Sequence, residues 1–411
     1  MDAKRRHLLR SIPLLPLGLK ACSRFDVFNE VDNAINWEEV KNSFPISSWE
    51  KLHLNSGSAG VMPTPVQEYL IDAIRYMNSR APYEAWSNWQ TIKKSNILRL
   101  GELIHASSDS IEIVRNTTEA LNMLINGLKM KREDEVIISN NAYPFAVNAW
   151  ENKKIKDGIA INRIQYTLPL SDDEIVRKYT EAITLKTKVI HITHMTHREG
   201  HIQPMAEIIN LAHKHNIQVV VDGAHCVGQI PLDLIADNVD YYASSLHKWL
   251  NAPHGTGLLY VRPQLISTLY NHPSSYLNAT DSIHKFEHIG TRAFHQEIGI
   301  SAALDYHDAI GLNNKLDRLQ ALKEYCYEQL KGLSKVTWHT NIDRHYSGGV
   351  FTLSVQNYSG GQLVKMLDKE YDIHIKSVGS TWGSGIRVSV NVFHDTGDLD
   401  KFIAAIQNIA A

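Results

Sequence analysis

Cysteine is nearly absent. Cys22, Cys226 and Cys326 are the three in 411 residues, too few for a disulfide framework, so a packed core must hold the fold. Neither sign of charge dominates. The chain has 42 Lys and Arg against 44 Asp and Glu, a formal net charge of −2, and so lacks the basic footprint of a nucleic-acid binder. Long apolar runs are missing as well. The apolar stretch at residues 12–19 contains two prolines and falls far short of the roughly 20 residues a spanning helix needs. Repeats and low-complexity segments are lacking. What remains is a chain of ordinary globular composition, 43% hydrophobic. Its length suggests two domains, because single cores rarely grow past roughly 250–300 residues.

The amino terminus stands apart in composition. Arg5 and Arg6 precede the short apolar stretch, and Leu19-Lys20-Ala21-Cys22 follows it. This resembles a twin-arginine export signal ending in a lipoprotein box, with Lys20 in place of the usual small residue. On that reading the mature protein is periplasmic and Cys22 is a candidate lipid anchor; a basic tail on a cytoplasmic protein is the alternative. Residues 1–25 are therefore set aside from the fold, and 26–63 read as an amino-terminal arm.

From residue 64 onward, apolar runs alternate with stretches of helical spacing. Strands are expected at 111–114, 135–139, 159–166, 189–193, 219–222 and 241–244, with helices between most of them. That alternation calls for an α/β fold, a mainly parallel doubly wound sheet covered on both faces. Residues 256–261 form a further strand, antiparallel because the loop before it is too short for a parallel crossover. Past residue 312 the pattern changes to a long helix, short strands and a closing helix. The domains read as 64–305, a large ligand-binding domain, and 306–411, a smaller α+β carboxyl-terminal domain.

The stretch from Val219 to Lys248 organises the chemistry. Asp222 and Lys248 both follow strand ends, which in a parallel sheet face one crevice where ligands bind. A lysine to attach pyridoxal phosphate (PLP) covalently and an aspartate to keep its pyridine nitrogen protonated are the minimum that cofactor needs. Asn116-Thr117-Thr118 opens a helix after a strand, a ready anion site, and Ser245 and His247 would close on the same phosphate. Tyr143-Pro144 points an aromatic ring into the crevice. His225 would reach the cofactor's phenolic oxygen, and Asn55, on the loop after an early strand, is a candidate to touch substrate.

From Asp222 to Arg262 the sequence DGAH…GQIPLDL…DYYASSLHKWLNAPHGTGLLYVR resembles the class V aminotransferases of PLP fold type I, and the isopenicillin N epimerase-like branch most closely. The resemblance covers about residues 50–411. It implies that Lys248 binds the cofactor and that Asp222 faces its pyridinium. It also implies that Thr117 or Thr118, Ser245 and His247 hold the phosphate, and that Tyr143 stacks on the ring. Thr291, in a Gly-Thr turn, would reach the phosphate of a neighbouring subunit, making the protein a homodimer. Arg387 would clamp the substrate's α-carboxylate. Two departures stand out. His197 occupies a slot often filled by Asn, and no cysteine lies between Cys326 and Arg387, which speaks against a desulfurase using a protein thiol.

Other readings are weaker. His191, His194, His197 and His201 fall on a strand and its following loop, and Glu199 completes no recognised metal spacing, so no metal is expected. Ser245-x-x-Lys248 matches the first element of penicillin-binding enzymes, but the partner motifs are absent. Cys226 reads as packing. The expected activity is chemistry at the Cα of an amino acid or a peptide-borne amino acid head group. Transamination leads, because Lys248 alone suffices for it. An epimerase or a C–S or C–C lyase is the alternative, and a catalytically inert PLP-binding protein the reading from outside enzymology.

Overall fold

The structure is a computed structural model describing residues 35–411; the segment read as an export signal, with Cys22, lies outside the described residues. The arm forms a short helix α1 (Trp37–Asn42) and strand β1 (Leu52–His53), followed by the helices α2 (Thr64–Asn78) and α3 (Pro82–Ile104). Then comes the α/β alternation: β2 (Ile111–Val114), α4 (Thr117–Gly127), β3 (Glu135–Ser139), α5 (Pro144–Asp157), β4 (Ala160–Ile164), α6 (Asp172–Ala182), β5 (Thr187–Thr193), α7 (Met205–Lys214), β6 (Gln218–Asp222), β7 (Tyr241–Ser245) and β8 (Gly257–Val261). Two consecutive helices, α8 (Phe294–Ile310) and α9 (Leu312–Leu330), lead into β9 (Val336–Trp338), β10 (Val350–Val355), α10 (Gly360–Glu370), β11 (Ile373–His374), β12 (Lys376–Ser380), β13 (Gly383–Ser389) and α11 (Thr396–Ala410).

Strands β2 to β8 form one seven-stranded sheet in the order β2-β8-β7-β6-β5-β3-β4. As expected, β8 runs antiparallel, to both β2 and β7, while β7, β6, β5, β3 and β4 pair in parallel. The central strands β6, β7 and β8 are buried on both faces, as helices on both sides of a sheet require. Alternate residues serve different cores: Val219 and Val221 pack with α2, α3 and α6 to α8, whereas Val220 packs with α4 and α5. The period of two sends neighbours to opposite faces.

The carboxyl-terminal part builds a four-stranded antiparallel sheet, β12-β13-β10-β9. Its inner face, with Ile386 and Val388, packs on α9, α10 and α11. Its other face carries Arg387 toward the large sheet. β1 pairs in parallel with β11, which ties the arm to this region.

Two stretches differ from the sequence expectation. The amphipathic interval between β6 and β7 contains no helix but a series of turns, which bury Val227, Ile230, Leu232, Leu234 and Val239. Gly228 explains part of this: it sits at φ 81° with Leu250 N 2.7 Å from where a Cβ would be, and Pro231 cannot donate to a helix. The helix α8 was not anticipated. Its buried residues, among them Phe294, Ile298, Ala302 and Tyr306, lie all round its axis, so it shows no single apolar stripe.

Candidate active site

The carboxyl ends of the parallel strands open into a cavity of about 230 Å³, the place an open α/β sheet reserves for ligands. Nine residues singled out from sequence line it: Thr117, Thr118, Tyr143, His197, Asp222, His225, Ser245, His247 and Lys248. They arrive from five strand ends. Thr117 opens α4 after β2, Tyr143 caps α5 after β3, His197 follows β5, Asp222 ends β6, and Ser245 ends β7 just ahead of Lys248.

One end of the cavity is an anion cradle. The Thr117 and Ser245 hydroxyls lie 2.7 Å apart, and the Thr117 backbone N–H donates to Ser245 Oγ at 3.2 Å. Both stand at the amino end of α4, where unpaired N–H groups and the helix dipole favour negative charge. His247 hydrogen-bonds through Nδ1 to the Thr256 carbonyl at 2.9 Å, and burial lowers its pKa to about 4. It is therefore a neutral contact at neutral pH.

At the floor, Asp222 is 2% exposed and accepts from the Ala224 N–H at 3.1 Å. Burial raises its pKa, opposed by that hydrogen bond and by Lys248; a cationic partner on its ring-facing side would restore full ionisation. Lys248 Nζ lies 3.2 Å from His225 Nε2. Burial, then the charge of Arg387, lowers its pKa to about 8. That places a free amine within reach at neutral pH. Gly60 secures the lysine's backbone: a Cβ there would meet the Lys248 carbonyl oxygen at 2.0 Å.

Arg387 is 2% exposed and stands beside the cavity rather than in its lining. Its guanidinium donates to Asn55 Oδ1 at 2.8 Å, to Ser58 Oγ at 2.9 Å and to the His197 carbonyl at 2.9 Å. All three partners are neutral, and its Nε is buried without a partner. Asn55 thus braces the arginine. The His197 ring meets the Tyr143 ring edge-on at 5.1 Å, and its Nδ1 is likewise buried and unpartnered. Lys376 stands directly opposite Arg387 across β12 and β13 and adds positive charge that presses on Lys248, His197 and His225.

Thr291 is not brought to this cavity. It lines a separate cleft with Trp86, Trp89, Arg292 and Phe294, so within one chain it reaches no cradle residue. The histidines read for metal do not converge either. The His191 and His201 rings are buried without hydrogen-bond partners and His194 bonds Tyr242. The one cluster with ligand-like spacing among the described residues, Glu112, His284 and Glu287, already encloses the Lys93 ammonium. Sequence reasoning missed Ser58 and Thr193, which line the cavity. It also missed Trp249, whose indole bonds His225. Ser58 had a signal in the small-residue loop 56–60; Trp249 had none beyond its place next to Lys248.

The cavity fits PLP on its own chemistry: an anion cradle at a helix end, a buried carboxylate at the floor, an amine between them, and orphaned acceptors or donors at Thr193 Oγ1 and His197 Nδ1. Fold and site together define a PLP enzyme of fold type I. The class-V aminotransferase family model matches residues 79–402, and the chain belongs to that family, whose cofactor is PLP. A cysteine desulfurase from Escherichia coli O6:K15:H31 is 30% identical over 408 residues, covering 90% of this chain and 98% of its own. The isopenicillin N epimerase of Amycolatopsis lactamdurans is 25% identical over 386 residues, covering 87% and 95%. Among solved structures, the cystine C–S lyase C-DES bound to its product cysteine persulfide superposes with a TM-score of 0.80 at 22% identity, covering 88% of this chain and 98% of that one. The E. coli cysteine desulfurase CsdA gives 0.78 at 20%, covering 92% and 98%.

Proposed function

We propose that the protein cleaves the Cβ–S bond of a sulfur-bearing amino acid by β-elimination, releasing the sulfur as a small molecule. The observation that carries this reading is Lys248 in a cavity with no thiol in its lining, with Arg387 buried beside it. Cys226 and Cys326 are both fully buried. Burial pushes the Cys226 thiol up to about 12 and Cys326 higher still. Neither can serve as a sulfur-accepting thiolate at neutral pH. Support also comes from the relatives, since the desulfurases and the lyase both act at a carbon–sulfur bond by their names. Transamination, to which the sequence leaned, has no counterpart among the relatives named above.

Bound PLP supplies an electron sink for the bonds broken at Cα. The rest falls to the chain. Thr117, Ser245 and His247, with Thr118 beside them, would hold the phosphate, and Asp222 would pair with the pyridine nitrogen. The Tyr143 ring, which lines the cavity, would cover the cofactor's face. Arg387, braced by Asn55 and Ser58, holds the substrate carboxylate through charge-assisted hydrogen bonds. Lys248, whose ammonium is made easier to deprotonate by burial and the surrounding cations, takes the Cα proton as the free amine. The electron pair left at Cα expels the sulfur from Cβ as thiolate, and water completes release of pyruvate and ammonia. The Thr291 turn of a second subunit completes the phosphate site in a homodimer.

The test is incubation of the holoenzyme with L-cystine and S-substituted cysteines. Pyruvate and ammonia in equal amounts support the proposal. Alanine with sulfur left on the protein, or amino-group transfer to a keto acid, overturns it. Solvent deuterium at Cα of recovered substrate without pyruvate identifies an epimerase.

A further inference from the structure

Trp249 follows Lys248 but turns away from the cavity, 1% exposed within the carboxyl-terminal core. Lys315 Nζ holds its carbonyl at 2.7 Å. Its indole Nε1 donates to His225 Nδ1 at 3.3 Å. An indole N–H donates and never accepts, so this ring nitrogen of His225 must be bare. A neutral imidazole carries its hydrogen on one nitrogen, which leaves Nε2, the atom 3.2 Å from Lys248 Nζ. We propose that Trp249 is a positioning residue that locks His225 in the Nε2–H tautomer, so that His225 enters the cavity as an obligate donor and not as a base.

The surroundings keep that state. Gln229 grips the His225 carbonyl at 2.6 Å and is itself fixed by the Gly349 N–H at 2.6 Å, which holds the His225 backbone beside the indole. Burial, and then the charges of Lys248, Arg387, His197 and Lys376, hold the imidazole neutral. A donor at Nε2 needs an acceptor opposite it. The free amine of Lys248 qualifies and its ammonium does not; when PLP is bound, its phenolic oxygen qualifies as well. The indole thereby biases Lys248 toward the form that moves protons, and it assigns that task to Lys248 alone. None of this depends on which bond at Cα breaks.

The tautomer is read directly from long-range proton–nitrogen NMR of the ¹⁵N-histidine-labelled apoprotein, with His225 assigned by its loss in His225→Gln. The wild type should show an unprotonated Nδ1 and a protonated Nε2. Trp249→Phe, which keeps the aromatic bulk but not the donor, should populate the opposite tautomer. The titration midpoint of Lys248, followed by the pH dependence of its acylation rate, should then rise by about half a pH unit or more, the worth of one ordinary hydrogen bond. A merely structural tryptophan would leave that midpoint unmoved. Hydrogen on Nδ1 in the wild type overturns the proposal, as does a Trp249→Phe variant with the wild-type tautomer and midpoint. If the variant does not fold, the wild-type spectrum decides alone. These results stand or fall apart from any lyase assay.

Discussion

Replacing Lys248 by Met should make the apoprotein more stable, by an amount that shrinks as pH rises. Lowering a lysine from its ordinary value near 10.4 to about 8 penalises the folded ammonium by about 3 kcal/mol. At pH 7 the folded lysine is still mostly protonated, so that cost is present in full. The unfolded chain binds more protons than the folded one between about pH 8 and 10.4, so wild-type stability must climb across that window. Methionine matches the length of the chain and carries no charge. It forfeits the 3.2 Å contact with His225, a loss of about 1 kcal/mol. The net expectation is a gain of about 2 kcal/mol at pH 7 that fades by about pH 10. Equilibrium urea unfolding of the two apoproteins at both pH values measures it. A variant no more stable than wild type at pH 7, or an advantage independent of pH, would refute the reasoning that burial and neighbouring cations hold Lys248 down.

Arg387→Lys keeps the charge but loses the planar fork, so kcat/KM should fall about 10- to 100-fold, mainly through KM, in steady-state assays. Gly60→Ala should cost cofactor occupancy before it costs fold, because its Cβ would meet the Lys248 carbonyl at 2.0 Å; cofactor content measured against melting temperature separates the two. Glu112→Gln should destabilise by about 3 kcal/mol in denaturant titrations. It leaves the Lys93 ammonium buried with Glu287 alone at 2.8 Å, and it should release His284, now held near 10 by its bonds to Glu112 and Glu287.

Legibility followed locality. Asp222 and Lys248 could be read because their roles come from position at strand ends, and strand ends are marked by apolar runs that stop. Thr117 and Ser245 could be read for the same reason, each sitting at a strand-to-helix or strand-to-loop passage. Ser58 and Trp249 could not. Their partners, Arg387 and His225, lie 329 and 24 residues away; the small-residue loop 56–60 marked the loop but not which serine in it, and Trp249 had no mark beyond its place next to Lys248. The helix α8 was hidden by burial on every side, which erases the periodicity that marks a helix at a surface. Asn55 was found from its loop, and the folded chain adds that it braces Arg387.

The central claim is that Lys248 and Arg387 break a carbon–sulfur bond without the thiol of Cys226 or Cys326. The most direct measurement is the fate of L-cystine incubated with the Cys226→Ser, Cys326→Ser double variant of the holoenzyme. Pyruvate formation at the wild-type rate, abolished by Lys248→Ala, is the predicted result. Loss of activity in a folded, cofactor-loaded double variant, or an amino group passed to a keto acid with the sulfur untouched, would contradict it.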